Sequence, residues 1–161
     1  MKDRIIEASI DALRKEGLRF SVDTLADRLN ISKKTVYKFF PDKEALALAL
    51  YEKYYGDARS RAAELGALGD AQSREELLRL YYDAKVMTRS DIFNKYKLNA
   101  AIGAFTARQN DALWELIAAS LRADDDSRTL RIIVDGAFEK LCREGLEPDG
   151  VIKRMANILW Q

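Results

Sequence analysis

Histidine is absent from the 161-residue sequence, and cysteine occurs once, at Cys142. Without histidine the chain lacks the commonest general base and the commonest transition-metal ligand, so Ser-His and Cys-His catalysis and histidine-based zinc sites are excluded. A single cysteine rules out an intramolecular disulfide and fits a reducing compartment; the neighbours of Cys142 mark it as a core position. Proline and glycine are also scarce, with two and eight residues, which leaves few natural breaks in long helices. The longest uninterrupted apolar run, Ala45 to Tyr51, is far short of the ~20 residues that cross a bilayer. The start of the chain is too charged for a secretory signal, so a cytoplasmic protein with no membrane attachment is expected. No paired-carboxylate motif or glycine-rich phosphate loop supports an enzyme, and no cofactor is expected.

What is present is a folded, helix-rich composition: 48% of residues are hydrophobic and 33% charged. The net charge is only +1, but it is unevenly spread. Between residues 28 and 43, Arg28, Lys33, Lys34, Lys38 and Lys43 face a single acid, Asp42, and a local basic patch of this kind is what phosphate binding requires.

Helical periodicity organises the whole chain. Ile5, Ile6, Ile10, Ala12 and Leu13 form one stripe, with Gly17 as a C-terminal stop. Ser21 is an N-cap in front of Val22, Leu25, Ala26 and Leu29, which makes a short second helix. Asn30 tolerates a left-handed backbone, Ser32 is a second N-cap, and together they bracket Ile31 in a tight turn. A third helix follows at once and ends at Pro41. Asp42 caps a fourth, expected to reach about Leu65, and Gly66 to Ser73 reads as a loop. Three further helices are expected at Arg74 to Thr88, Asp91 to Thr106 and Gln109 to Leu121. A late helix carries Leu130, Ile133, Val134, Ala137, Phe138, Leu141 and Cys142 and ends at Gly145, and Pro148 suits the first turn of a last one.

Two short helices joined by a three-residue turn, the second rich in Lys, Thr and Tyr, are the ingredients of a helix-turn-helix DNA reader. Its second helix must enter a major groove about 12 Å wide and present donors there. Lys33, Lys34, Thr35 and Lys38 suit base edges and phosphates, and Tyr37 suits a phosphate through its hydroxyl. Ser21 and Ser32 are capping residues placed where a phosphate could sit. Lys43 opens the fourth helix, where the dipole disfavours a cation, and its placement points to an anion nearby.

The run from Phe20 to Ala26, followed by Ile31 to Leu46, resembles the N-terminal signature of the tetracycline-repressor (TetR) family over roughly the first 50 residues. The resemblance implies that Ser21, Lys33, Lys34, Thr35, Tyr37 and Lys43 contact DNA, while Leu25, Ala26, Leu29, Ile31, Val36 and Phe40 hold the three-helix unit together. It also implies a homodimer and an all-helical regulatory domain. Two positions depart from the family: Asn30 stands where glycine is usual, and Phe39 where histidine is frequent.

The expected architecture is all-α, with a helix-turn-helix domain over residues 1–45 and a helical-bundle domain for ligand sensing and dimerisation over 46–161. The family's small effectors bind among the middle helices, which here carry Tyr81, Tyr82, Phe93, Tyr96, Phe105 and Trp114; for each of these, ordinary core packing is the simpler role. The last two helices are apolar over more of their circumference than one buried stripe needs, since Ile132 and Ile133, Val151 and Ile152, and Ile158 and Leu159 point in different directions. A four-helix contact between two copies would cover the excess, with Ile133, Val134, Phe138, Leu141, Ile152, Met155 and Leu159 as its candidate residues. The expected function is a ligand-responsive repressor that reads a palindromic double-stranded operator as a homodimer. The alternatives are a protein-binding member of the same fold and, with less support, a helical-bundle enzyme.

Overall fold

The computed structural model describes residues 1–16, 21–89, 100–122 and 126–161. Among these residues the chain forms eight α-helices and no strand: α1 (Lys2–Glu16), α2 (Val22–Leu29), α3 (Lys33–Phe39), α4 (Lys43–Leu68), α5 (Ala71–Met87), α6 (Ala100–Ala118), α7 (Ser127–Glu144) and α8 (Asp149–Leu159). None of them is long and apolar enough to cross a membrane.

The chain divides into two compact units, residues 1–56 with 87–107, and residues 57–86 with 108–161. The first unit is built on α1 to α3 and the start of α4. Ile5, Ala12, Leu25, Val36, Phe40, Leu46 and Leu50 are buried in it, so the apolar stripes read from the sequence do close on one core. Tyr51, buried on α4, donates its hydroxyl proton to the Met87 carbonyl at 2.7 Å, which satisfies a polar tip that would be costly to bury alone. Tyr54 and Tyr55 meet edge to face with centroids 5.2 Å apart, and the Arg14 guanidinium lies over the Tyr54 ring.

In the second unit, Tyr81, Trp114 and Phe138 come together from α5, α6 and α7, with Tyr81 at 5.6 Å from Trp114 and 6.1 Å from Phe138. All three side chains are fully or almost fully buried. The hydroxyl of Tyr81 donates to Asp135 Oδ1 at 2.8 Å and accepts from Arg131 Nε at 3.2 Å. Arg131 also pairs with Asp111 at 2.6 Å, and Lys85 pairs with Asp135 at 3.2 Å while lying over the Tyr81 ring. Burial, reinforced by the Asp135 contact, pushes the Tyr81 phenol well above its ordinary range, so it stays a neutral donor and acceptor.

Three boundaries differ from the sequence expectation. Helix α4 runs through Gly66 to Leu68, because the left-handed residue that stops it is Gly69, at φ 66. Asp70 then caps α5 through Ser73 N and Oγ at 2.9 and 3.0 Å, so the expected eight-residue loop shrinks to two residues. The expected break between Thr106 and Gln109 is absent, and α6 is continuous there. Neither proline nor glycine interrupts residues 104–110, and Thr106 Oγ1 satisfies itself on the Gly103 carbonyl at 3.0 Å within the helix. The expected helix from Asp91 lies largely outside the described residues. Pro148 stands at the N-cap of α8, one position before its first residue, and Cys142 is half-buried rather than a full core residue.

The second-unit core makes a prediction about relative costs. Phe138→Ala removes a fully buried ring and should cost about 3–5 kcal/mol. Tyr81→Phe removes only a hydroxyl whose partners are partly solvated and retain each other, and should cost about 1 kcal/mol. Urea denaturation of both variants should reproduce that order, and an equal or reversed order would mean that the polar cluster, not the packing, holds this core.

Candidate nucleic-acid interface

Helix α2 starts because Ser21, in extended conformation, accepts from Thr24 N at 3.1 Å and shares a second hydrogen bond with Thr24 Oγ1. It stops at Asn30, whose backbone is left-handed at φ 52, ψ 47. Asn30 N–H donates to the Asp27 carbonyl at 3.1 Å, and Ile31 N–H donates to the Ala26 carbonyl at 3.0 Å. These two bonds are the Schellman closure of a helix, and they satisfy carbonyls that the helix itself leaves open. Asn30 is the only non-glycine residue with positive φ among those described. Asparagine tolerates this conformation, so the fold survives the absence of the usual glycine.

Two residues later Ser32 is extended again and accepts from Thr35 N at 3.0 Å, with Thr35 Oγ1 at 2.8 Å. Only three residues therefore separate the end of α2 from the start of α3. Val36 and Phe40 fix its inner side in the core. Lys34 and Lys38, one turn apart, lie on the opposite side and are exposed, as are Ser32 and Lys33, while Thr35 and Tyr37 are half-buried on its flanks. Among the described residues, Lys34, Lys38 and Lys43 make no ion pair or hydrogen bond. Lys33 does: its Nζ donates to Asp23 Oδ2 on α2 at 2.9 Å.

All eight residues expected to meet DNA thus fall within or beside one helix-turn-helix, on α2, α3 and the start of α4. Ser21 and Ser32 both spend their side-chain oxygens on capping. Lys43 is the first residue of α4 and is exposed, but Asp42 already answers that helix terminus by accepting from Ala45 N at 2.7 Å. The dipole therefore places less weight on a bound anion at Lys43 than the sequence suggested. Phe39 is 37% exposed at the end of α3, an apolar group next to the lysines. The partner of Lys33, Asp23, was not singled out from the sequence; an acid in a first turn ordinarily serves the helix dipole alone, and its ten-residue separation from Lys33 carries no local signal.

Residues 5–50 match the family described as bacterial regulatory proteins, tetR family. Residues 5–50 are thus similar to the N-terminal domain of that family. That family comprises bacterial regulatory proteins, and the matched residues include the helix-turn-helix. No curated protein matches the chain. Among solved structures, a TetR transcription regulatory protein from Mycobacterium vanbaalenii is 21% identical with a TM-score of 0.65, over 99% of this chain and 95% of that one. A TetR/AcrR-family transcriptional regulator from Thermobifida fusca YX-ER1 is 19% identical with a TM-score of 0.62, over 99% and 96%. A TetR-family regulator from Marinobacter aquaeolei VT8 follows at 18% and 0.53, over 99% and 93%. At these identities the likeness is one of fold, and it covers the TetR domain and everything behind it.

The other two sets of expected site residues are arranged differently from the DNA set. Of the aromatic residues expected among the middle helices, Tyr81 and Trp114 are buried, Tyr82 and Phe105 are half-buried, and Phe93 and Tyr96 lie outside the described residues. Tyr81, Tyr82 and Trp114 belong to the second compact unit and Phe105 to the first. Of the seven residues expected to meet a second copy, Val134, Phe138, Leu141, Ile152, Met155 and Leu159 are buried within the single chain. Only Ile133 is exposed, at 56%, and Ile132 and Ile158 join it at 67% and 56%. Sequence reasoning saw that α7 and α8 were apolar on several sides, but it assigned the core stripe to the partner because periodicity does not say which of two stripes faces inward.

The turn yields a measurable expectation. Asn30→Gly should leave stability unchanged or slightly higher, because glycine enters the left-handed region freely. Asn30→Ala should lose about 1 kcal/mol or more, since a β-carbon is strained there. Thermal melts of the two variants, read against the parent, distinguish this from a role of the Asn30 side chain itself, which would make both substitutions equally harmful.

Proposed function

We propose that the protein is a sequence-specific DNA-binding transcriptional regulator that acts as a homodimer on a palindromic operator, as a repressor released by a small-molecule effector. Residues 1–45 serve as the DNA-binding domain and 46–161 as the ligand-sensing and dimerisation domain, in the cytoplasm, where the chromosome is. The observation that carries the reading is α3: a recognition helix anchored from below by Val36 and Phe40, with Lys34 and Lys38 exposed and unpaired among the described residues on its outer side. Such a helix enters a major groove, with Lys33 and Lys34 donating to guanine O6 and N7 or to phosphate and the Thr35 methyl meeting a thymine methyl. Ser21, Tyr37, Lys38 and Lys43 position the helix on the backbone.

The dimer reading rests on the exposed isoleucines. Helices α7 and α8 are adjacent and joined by the short link 145–148, with Gly145 left-handed at φ 63. Ile132 and Ile133 on α7 and Ile158 on α8 are all exposed, at 67%, 56% and 56%. Three isoleucines left in water cost apolar hydration, and an isologous contact with a second copy removes it. Two recognition helices then reach successive major grooves about 34–36 Å apart, and an effector that alters their spacing opposes DNA. Ligand response is drawn from the likeness to TetR-family regulators. Tyr81 supports it least among the six aromatic residues, because its hydroxyl is already satisfied by Asp135 and Arg131.

Selection of randomised duplex DNA by the purified protein should enrich an inverted repeat. The Lys33→Ala, Lys34→Ala double variant should lose specific binding, by roughly 100-fold or more if two base or phosphate contacts of about 1–3 kcal/mol each disappear, while folding and dimerisation persist. Retained operator affinity in that variant would remove α3 from the interface, and no enrichment by a folded dimer would favour a protein partner for this domain. Ile132→Asp with Ile133→Asp should convert the dimer to a folded monomer in sedimentation equilibrium; an unchanged dimer would place the contact elsewhere.

A further inference from the structure

Lys33 and Asp23 form an ion pair within the helix-turn-helix, and both side chains are exposed, 49% and 67%. An exposed pair of this kind adds little to stability, so folding has little need of it. Its placement matters more. The pair joins the first residue of α3 to the first turn of α2, beside Lys34, and Tyr37 follows one turn further along α3. The hydrogen bond to Asp23 is also the main cause that raises the proton affinity of the Lys33 ammonium.

We propose that Asp23 is a specificity-determining residue that acts through Lys33, holding the ammonium against α2 so that its remaining donors are directed at base edges rather than free to seek phosphate. The inference rests on the DNA-reading function proposed above. An unpaired lysine attaches to any phosphate and displaces a counterion, which is how non-specific affinity and its salt dependence arise. A paired lysine displaces fewer, because its charge is already compensated. The ammonium has three donors; Asp23 takes one and fixes the direction of the other two. Lys34, Lys38 and Lys43, unpaired among the described residues, then supply the salt-dependent grip, while Lys33 supplies direction. Asp23 is a positioning residue in this scheme and touches DNA only through its partner.

The test measures binding of the full chain to random duplex and to the selected operator over a series of salt concentrations. The variants are Asp23→Asn, Lys33→Gln, the two together, and Asp27→Asn, which removes another exposed carboxylate of α2 as a control for net charge. Asp23→Asn should steepen the dependence of log affinity on log salt by about 0.9 per protomer and raise random-duplex affinity about eightfold per protomer near 0.1 M salt. The ratio of operator to random affinity should fall. In the Lys33→Gln background the same substitution should do nothing, and Asp27→Asn should not reproduce the effect. The inference is overturned if the slope is unchanged in Asp23→Asn, if the change persists without Lys33, or if Asp27→Asn matches it. Failure of the parent protein to bind any duplex would instead refute the DNA-reading function itself, and this inference with it. Asparagine keeps the shape of the side chain, and circular dichroism melts of each variant confirm that folded proteins are being compared.

Discussion

The left-handed backbone at Asn30 is the constraint on which the DNA-binding unit depends. A helix that ends in the Schellman pattern reverses its chain within two residues and satisfies its last carbonyls as it does so. Because Asn30 and Ile31 N–H return to Asp27 and Ala26, the residue at which α3 can start is settled to within one position. Ser32 then caps that start. A shift of one residue would turn Val36 and Phe40 out of the core and bring Lys34 or Lys38 toward it. The same local hydrogen bonds therefore decide both which residues are buried and which are presented outward.

The second unit solves a different problem. It brings a tyrosine to the centre of an aromatic core, and a buried phenol needs partners. Asp135 and Arg131, one turn apart on α7, supply an acceptor and a donor to the same oxygen, while Lys85 and Asp111 complete the charges around them. Each of these side chains has a partner among the described residues. The same helix turns Ile132 and Ile133 outward immediately after Arg131. Helix α7 thus carries the polar anchor of its own core on one side and an uncovered apolar surface on another, and packing against α5 and α6 determines which is which.

Charge is distributed with similar economy in the first unit. The whole chain is nearly neutral, so any attraction to a polyanion has to be local, and it is concentrated on α3 and its flanks. The acid that sits closest in function to those lysines is Asp23, which makes one of them different from the rest. A uniformly basic helix would bind every duplex alike; a mixture of free and paired lysines separates grip from direction.

Much of this was legible in the sequence. Ser21, Asn30, Ser32 and Asp42 are local signals whose effects extend over only a few residues, so the starts of α2, α3 and α4 and the tight turn could be read without knowing the fold. The lysines of α3 were readable for the same reason, since their arrangement follows from helical spacing and a short, capped helix. What tertiary structure alone decided lies at longer range. The Asp23 partner of Lys33, the use of Tyr81 as a core anchor and the inward orientation of Val134, Phe138, Leu141 and Ile152 all depend on which helices meet, and a helix with apolar residues on two sides is compatible with either orientation. The loop around Gly66 belongs to the same class: a glycine permits a helix end without requiring it, and it was the left-handed Gly69, followed by the cap at Asp70, that placed the break. Local hydrogen bonding determined the elements and the turn; packing between them determined which faces remained for a partner.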